Sequence, residues 1–411
     1  MFFEGFEEKL SKCVHCGMCL SVCPTYRIFG FETDSPRGRI TLIQALNDGR
    51  IKLNEEFVKH IDRCLDCRAC QTACPSGVEY GLIVEEAKTY IYLKNPPNIL
   101  IRTLKNIVMR FVIPKRWVLR TLTFLLYIYQ KSRLNRIVRF VLPSGLKKLE
   151  KMLPPLPSPR EYRYFVKDKV YKAKGQKRGR VYFFAGCVQD SFFPYVNRAT
   201  IEVLTHNGYE VVVPSGQTCC GAVHMHGGDP EYAKVVAKKN MEAFREDIPI
   251  IVNAAGCGAF LKEYNRLFGE EETREWRRRI KDVNEFLVEN GFVKPEGVVR
   301  LKITYQDPCH LAHAQGIRKQ PREILKTIPG LDFTEMKHPD YCCGSAGIYN
   351  IVHHDISTKI LNEKLKDIES TGADHVVTAN TGCQIQLTYG TGRRVFHIME
   401  LLAEAYKNGK R

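Results

Sequence analysis

Cys13-Val-His-Cys16-Gly-Met-Cys19-Leu-Ser-Val-Cys23-Pro24 and Cys64-Leu-Asp-Cys67-Arg-Ala-Cys70-Gln-Thr-Ala-Cys74-Pro75 repeat one spacing, C-x2-C-x2-C-x3-C-P. A three-residue stride closes a tight turn, so the first three sulfurs of a run reach three irons of one cubane while the fourth points toward the other cluster. The spacing therefore predicts two [4Fe-4S] clusters with crossed ligation: cluster A on Cys13, Cys16, Cys19 and Cys74, and cluster B on Cys64, Cys67, Cys70 and Cys23. Structural zinc would use C-x2-C pairs and needs neither the third spaced cysteine nor the Cys-Pro. Eight thiols this close suit soft-metal ligation better than disulfides.

Outward from the runs, Ser35-Pro36-Arg37-Gly38 reads as a helix start, followed by Ile40, Leu42, Ile43, Ala45 and Leu46 at helical spacing and by Asn47-Asp48-Gly49 as a stop. Asn54 caps a second helix carrying Phe57, Val58 and Ile61 into the second run. This is more helix than a minimal bacterial ferredoxin holds, and it predicts an α-helical two-cluster ferredoxin domain over residues 1–94.

Residues 95–179 change character. Between 95 and 151 stand thirteen Lys or Arg and a single acid, Glu150, interleaved with Trp117, Leu119, Phe124, Leu125, Leu126, Tyr127, Ile128, Phe140 and Leu142. Such a basic amphipathic region suits a membrane interface. The alternative is an inter-domain helical hairpin whose apolar face packs on the ferredoxin domain while its lysines are solvated, and docking of a partner subunit is compatible with either. Leu153-Pro154-Pro155-Leu156-Pro157-Ser158-Pro159 reads as a stiff extended linker.

The remainder is a tandem repeat whose register is set by cysteines. Cys187, Cys219, Cys220 and Cys257 recur as Cys309, Cys342, Cys343 and Cys383, at offsets of 122, 123, 123 and 126. We expect the first copy over 180–298 and the second over 299–411. Each copy alternates short β-branched runs with helical stretches; in the first, 181–184, 210–213 and 250–252 read as strands and 197–206 and 232–244 as helices. That pattern predicts two tandem α/β domains with mostly parallel strands. The cysteines are expected in strand-to-helix loops, which line the ligand crevice of such sheets, so that four sulfurs of a copy converge. These eight are metal-site candidates whose occupant stays open: an unusual iron–sulfur cluster, zinc, or redox-active thiols. His224, His226, His310 and His338 stand near them in sequence.

A chain of 411 residues with 16 cysteines and a formal charge of +17 holds more than one domain. The first ten residues carry three glutamates and no long apolar run, and no stretch approaches eighteen apolar residues, so neither a signal peptide nor a membrane-spanning helix is expected. The thiol content points to a reducing cytoplasm. No nucleic-acid-binding motif accompanies the positive charge, so nucleic acid is not expected as a partner.

The paired runs followed by two Cys…Cys-Cys-Gly…Cys domains resemble the family that includes the iron–sulfur subunit of glycolate oxidase, lactate-utilisation protein A and heterodisulfide reductase subunits B and D. The stretches 255–264 and 342–347 and the basic middle region are most similar to the glycolate oxidase subunit. The resemblance implies an electron-transfer subunit of a membrane-associated glycolate or lactate dehydrogenase, part of a flavin-dependent oxidoreductase located peripherally on the cytoplasmic face of the cell membrane. FAD and substrate oxidation are then expected in a partner flavoprotein, quinone or another carrier as acceptor, and no catalytic acid or base in this chain. No G-x-G-x-x-G follows a strand here. Heterodisulfide reductases of the family end each repeat with C-x2-C, whereas here those positions read Cys257-Gly258-Ala259-Phe260 and Cys383-Gln384-Ile385-Gln386. Two other expectations stand beside the first: thiol or disulfide chemistry in the repeats, and a non-catalytic zinc-containing scaffold for flavoprotein docking.

Overall fold

Ser35 and Asn54 open the two helices that organise the N-terminal part of the chain. The Ser35 hydroxyl accepts from the Gly38 N–H at the start of Pro36–Asn47, and the Asn54 side chain accepts from the Phe57 N–H at the start of Glu55–Asp62. The structure, a computed structural model, describes residues 6–96, 98–132, 138, 140, 142–162 and 169–409. Parts of the expected middle region (97, 133–137, 139, 141 and 163–168) and residues 1–5 lie outside the described residues. Every described regular element before residue 169 is helical. Ile40, Ile43, Phe57 and Ile61 meet Ile83, Val84, Ala87 and Ile91 of the helix Tyr80–Lys94, and Cys64 and Cys70 are embedded in that core.

The repeats are two sheets with one topology. The first holds β1 (Lys169–Tyr171), β2 (Gly179–Phe184), β3 (Tyr209–Val213), β4 (Ile250–Val252) and β5 (Ile280–Asp282) in the order β1-β3-β2-β4-β5. The second holds β6 (Leu301–Tyr305), β7 (Leu331–Phe333), β8 (His375–Thr378) and β9 (Val395–His397) in the order β7-β6-β8-β9. All pairs are parallel except β1 with β3. Removing β1 leaves the same strand order in both sheets, so the cysteine register is a repeat of topology as well as of sequence. β4 is apolar and buried along its whole length, as a strand covered on both faces must be.

The repeats pack reciprocally. The helix Pro194–His206, following β2, lies on Ile398–Asn408, following β9; the helix Lys319–Thr327, following β6, lies on Val283–Glu289, following β5. Ile201, Leu204, Phe286, Ile324 and Leu402 thereby share one core. Asp282 and His397 occupy equivalent positions as buried N-caps, each in a capping box with a glutamate three residues on.

The middle region is helical, Ile99–Asn106 running through a π-helical turn, Ile107–Val112, and followed by Arg116–Lys131. Its packing differs from the hairpin alternative, in which the apolar face lies on the ferredoxin domain. Met109, Ile113 and Leu119 enter the core of the first repeat, beside Cys187, Cys219 and Cys220. Pro114 cannot donate a backbone N–H, which frees the Arg110 carbonyl to accept from the Tyr232 hydroxyl at 2.7 Å. The polarity is also inverted. Arg110 pairs with Asp229, and Arg116 and Arg120 pair with the buried Asp190, while Ile99, Leu104, Phe111, Trp117 and Leu125 face outward, Trp117 at 69% exposure. The proline-rich linker is extended but fastened: Gln130 donates to the Pro154 carbonyl and accepts from the Leu156 N–H, and Leu156 is buried.

Candidate metal-cluster sites and the junction between them

The four cysteines assigned by spacing to cluster B, Cys23, Cys64, Cys67 and Cys70, line one pocket with ≈ 290 Å³ of empty space, partly open to solvent. None is in a disulfide. Burial pushes the Cys67 and Cys70 thiols well up, so bare thiolates are costly there and coordination to a metal would remove that cost. The Asp66 N–H and the Tyr80 hydroxyl both point at the Cys64 sulfur, at 3.4 and 3.6 Å. Arg39, buried and in contact with the Thr25 hydroxyl and the His60 carbonyl, adds a positive charge to the pocket wall. The donor set and its surroundings thus fit an iron–sulfur cluster.

The cluster A residues sit at the outer side. Cys13, Cys19 and Cys74 pack against the same helical core, and Cys16 is exposed between Val14 and Met18, themselves 67% and 60% exposed. Both runs use one backbone turn. His15 and Gly17 in the first and Asp66 and Arg68 in the second, at matching offsets, have φ of 54°, 87°, 52° and 61°. Three of the four are not glycine, so the turn is imposed by the cysteine spacing at a cost on the order of 1 kcal/mol each.

In the first repeat the thiols interact in series, Cys187 with Cys219, Cys219 with Cys220, and Cys220 with Cys257. Hydrogen bonds from its neighbours hold the Cys220 thiol well below its ordinary value, while those of Cys219 and Cys257 are pushed up. In the second, Cys309 interacts with Cys342, Cys342 with Cys343, and Cys343 with Cys383. Not all eight lie in loops as expected. Cys257 and Cys383 fall in the first turns of the helices Ala255–Leu261 and Thr381–Thr391, because the chain turns helical two residues after β4 and β8 end. A helix N-terminus favours a thiolate. The glycine after each Cys-Cys pair is required by shape: Gly221 and Gly344 have φ of 101° and 87°, and a Cβ on Gly344 would meet the Ser357 carbonyl oxygen at 2.7 Å.

Of the four histidines near these cysteines, His224 hydrogen-bonds the Met109 carbonyl at 2.7 Å and His338 stacks on Tyr341. The other two meet at a junction that the sequence did not disclose. Cys67 and Leu65 of the second run pack directly on Cys309, Cys342 and Tyr349 of the second repeat. Beside them Asp66, Arg68 and Glu85 of the ferredoxin domain meet His226, Glu263 and Arg266 of the first repeat and His310 of the second. His226 Nδ1 lies 2.6 Å from Glu85 and 3.2 Å from Asp66; Arg68 bonds Glu263, and Arg266 bonds Glu85 and Glu263. His310 Nε2 is 3.1 Å from the Asp66 carbonyl, and the two imidazoles stack at 5.5 Å. Burial alone would lower the His226 imidazole, yet the Glu85 and Asp66 carboxylates raise it to about 9. Burial and the Arg68 charge push His310 well down. The available signal was the acid inside the second run, Asp66, and Glu263 close behind Cys257; bringing them together with His310 needs contacts across three domains.

Together, fold and site define a helical dicluster ferredoxin domain joined to two cysteine-rich α/β domains. Residues 9–78 match the 4Fe-4S dicluster domain, 181–262 and 303–388 the Cysteine-rich domain, and 101–153 the linker region of the glycolate oxidase iron-sulfur subunit. The chain is 39% identical to the "Probable glycolate oxidase iron-sulfur subunit" of Bacillus subtilis, over 98% of this chain and 96% of that one. It is 33% identical to the "Glycolate oxidase iron-sulfur subunit" of Escherichia coli, over 96% and 94%. The chain belongs to the family of glycolate oxidase iron–sulfur subunits. A hypothetical protein from Helicobacter pylori, known from its crystal structure, is similar in fold alone, with a TM-score of 0.50 and 9% identity over 98% of this chain and 73% of that one. Among the described residues no helix is long and apolar enough to cross a membrane.

Proposed function

We propose that this chain is the electron-transfer subunit of a 2-hydroxy-acid dehydrogenase, glycolate being the first substrate to test and lactate the second, with electrons delivered by a partner flavoprotein and handed on to a quinone or another carrier. In this reading [4Fe-4S] clusters on Cys13, Cys16, Cys19 and Cys74 and on Cys64, Cys67, Cys70 and Cys23 supply one-electron acceptance and release. The chain contributes the thiolates, their burial and the N–H and O–H donors to sulfur; FAD belongs to the partner. The carrying observation is the gradation of burial, in which Cys16 is exposed at one end while Cys67 is packed against Cys309 and Cys342 at the other. An exposed end suits docking of an electron donor, and a buried end suits onward transfer into the repeats. That packing favours a redox role for the second repeat over a zinc scaffold.

The domain division 1–94, 95–179, 180–298 and 299–411 belongs to the same proposal, as does a metal site in each repeat. The outward apolar side chains of Ile99–Asn106 and Arg116–Lys131 support peripheral attachment to the cytoplasmic face of the membrane or to the flavoprotein. Cys67→Ser in the assembled complex tests the reading. Substrate should still reduce the flavin while turnover with the natural acceptor falls at least a hundredfold; loss of flavin reduction in an intact complex would contradict it.

A further inference from the structure

The junction holds side chains that the cluster reading leaves unused. One ligand atom from each of Asp66, His226 and His310 lies within 4.8 Å of the other two. Asp66 is 3% exposed, yet its carboxylate is only loosely held: His226 Nδ1, 3.2 Å away, is committed to Glu85 at 2.6 Å, and Arg68 at 3.7 Å is beyond hydrogen-bond reach. A buried carboxylate without close hydrogen bonds costs several kcal/mol unless something else satisfies it. The ion-pair network closes tightly on Glu85 and Glu263 but reaches Asp66 only at longer range.

We propose that Asp66, His226 and His310 form a mononuclear site for a divalent transition-metal ion of the zinc or iron(II) class, separate from the cysteine sites. Two imidazoles and one carboxylate are a donor set that both ions accept with coordination positions left open. The outer partners are in place. Glu85 bonds His226 and the Asp66 carbonyl bonds His310, the kind of contact that fixes the orientation of metal-binding imidazoles, and Arg266 in turn holds Glu85. Because the ligands come from the ferredoxin domain and from each repeat, the ion would clasp all three.

The test uses the full chain with its clusters intact, supplied with Zn2+ and freed of loosely bound ions. Metal analysis with zinc X-ray absorption should find one further zinc per chain with nitrogen and oxygen neighbours at about 2.0–2.1 Å, against about 2.3 Å for zinc on thiolates. That component should fall at least tenfold in His226→Ala and in His310→Ala, with iron and labile sulfide unchanged. One ferrous ion per chain beyond the cluster iron, exchangeable for zinc and lost in the same variants, would assign iron(II) as the resident ion. If the alanine variants lose their clusters, the near-isosteric Asp66→Asn decides. Zinc bound only through sulfur, no zinc at all and no such extra iron, or a nitrogen and oxygen signal that survives Asp66→Asn would overturn the proposal.

Discussion

His397 shows how much a single buried side chain can decide. Its Nε2–H donates to the Asn253 carbonyl at 2.9 Å, joining the repeats, and its Nδ1 accepts from the Met399 N–H at 3.1 Å, so the neutral ring is the one that fits. Burial lowers this imidazole from 6.5 to about 4. Between those values the unfolded chain binds the extra proton and the folded chain does not, so the contribution is fully present above pH 6.5 and is lost as pH falls toward 4. It amounts to about 3 kcal/mol. We expect unfolding midpoints to fall with pH in that window and the slope to flatten in His397→Asn; an unchanged slope would contradict this. Arg39 is the electrostatic counterpart at the cluster B pocket. Arg39→Gln removes a buried positive charge and should make the cluster there harder to reduce, read as a lower midpoint potential in a redox titration. An unchanged or higher potential would count against a cluster at that pocket. The sixteen cysteines were legible because each stands in a spaced pattern. His226 and His310 were legible as histidines beside cysteines, but their meeting with Asp66 was not, since it exists only after folding.

At the scale of elements, three strands and two helices of the first repeat were legible because β-branched runs and helical spacing are local signals, while its outer strands β1 and β5 were not read. The strand at Ile250–Val252 matches the reading residue for residue, whereas the helix at Pro194–His206 begins three residues earlier than read, at a proline that supplies its first turn. Which way the middle helices face was not legible. Amphipathicity gives two faces, and only the acids Asp190 and Asp229 waiting on the first repeat decide that the arginines turn inward. Two outcomes follow from this packing. Gly344→Ala should destabilise the second repeat by about 2 kcal/mol or more, seen in denaturant unfolding, because both the left-handed backbone and the Ser357 carbonyl oppose a Cβ. Phe111→Ser with Trp117→Ser should cut association with anionic vesicles, or with the flavoprotein, at least tenfold while leaving the unfolding midpoint nearly unchanged, since both side chains are exposed. Unaltered association with both would remove this face from the attachment surface.

On the scale of the whole molecule, the ferredoxin domain is wedged against both repeats, so that the inner run and the second repeat's cysteines share one apolar patch. In the proposed function this chain moves electrons while hydride leaves the substrate in a partner chain. Cys16→Ser, at the exposed end, should act as Cys67→Ser does, halting turnover with the acceptor while the flavin remains reducible. The most direct test of the central claim is iron, zinc and acid-labile sulfide per chain on anaerobically purified protein, with low-temperature EPR of the reduced form. At least about eight irons and as many sulfides are expected, with two interacting cubane signals. Iron beyond that number, lost in Cys342→Ser, would extend the path into the second repeat. Zinc on the N-terminal cysteines, or no cubane signal, would contradict it.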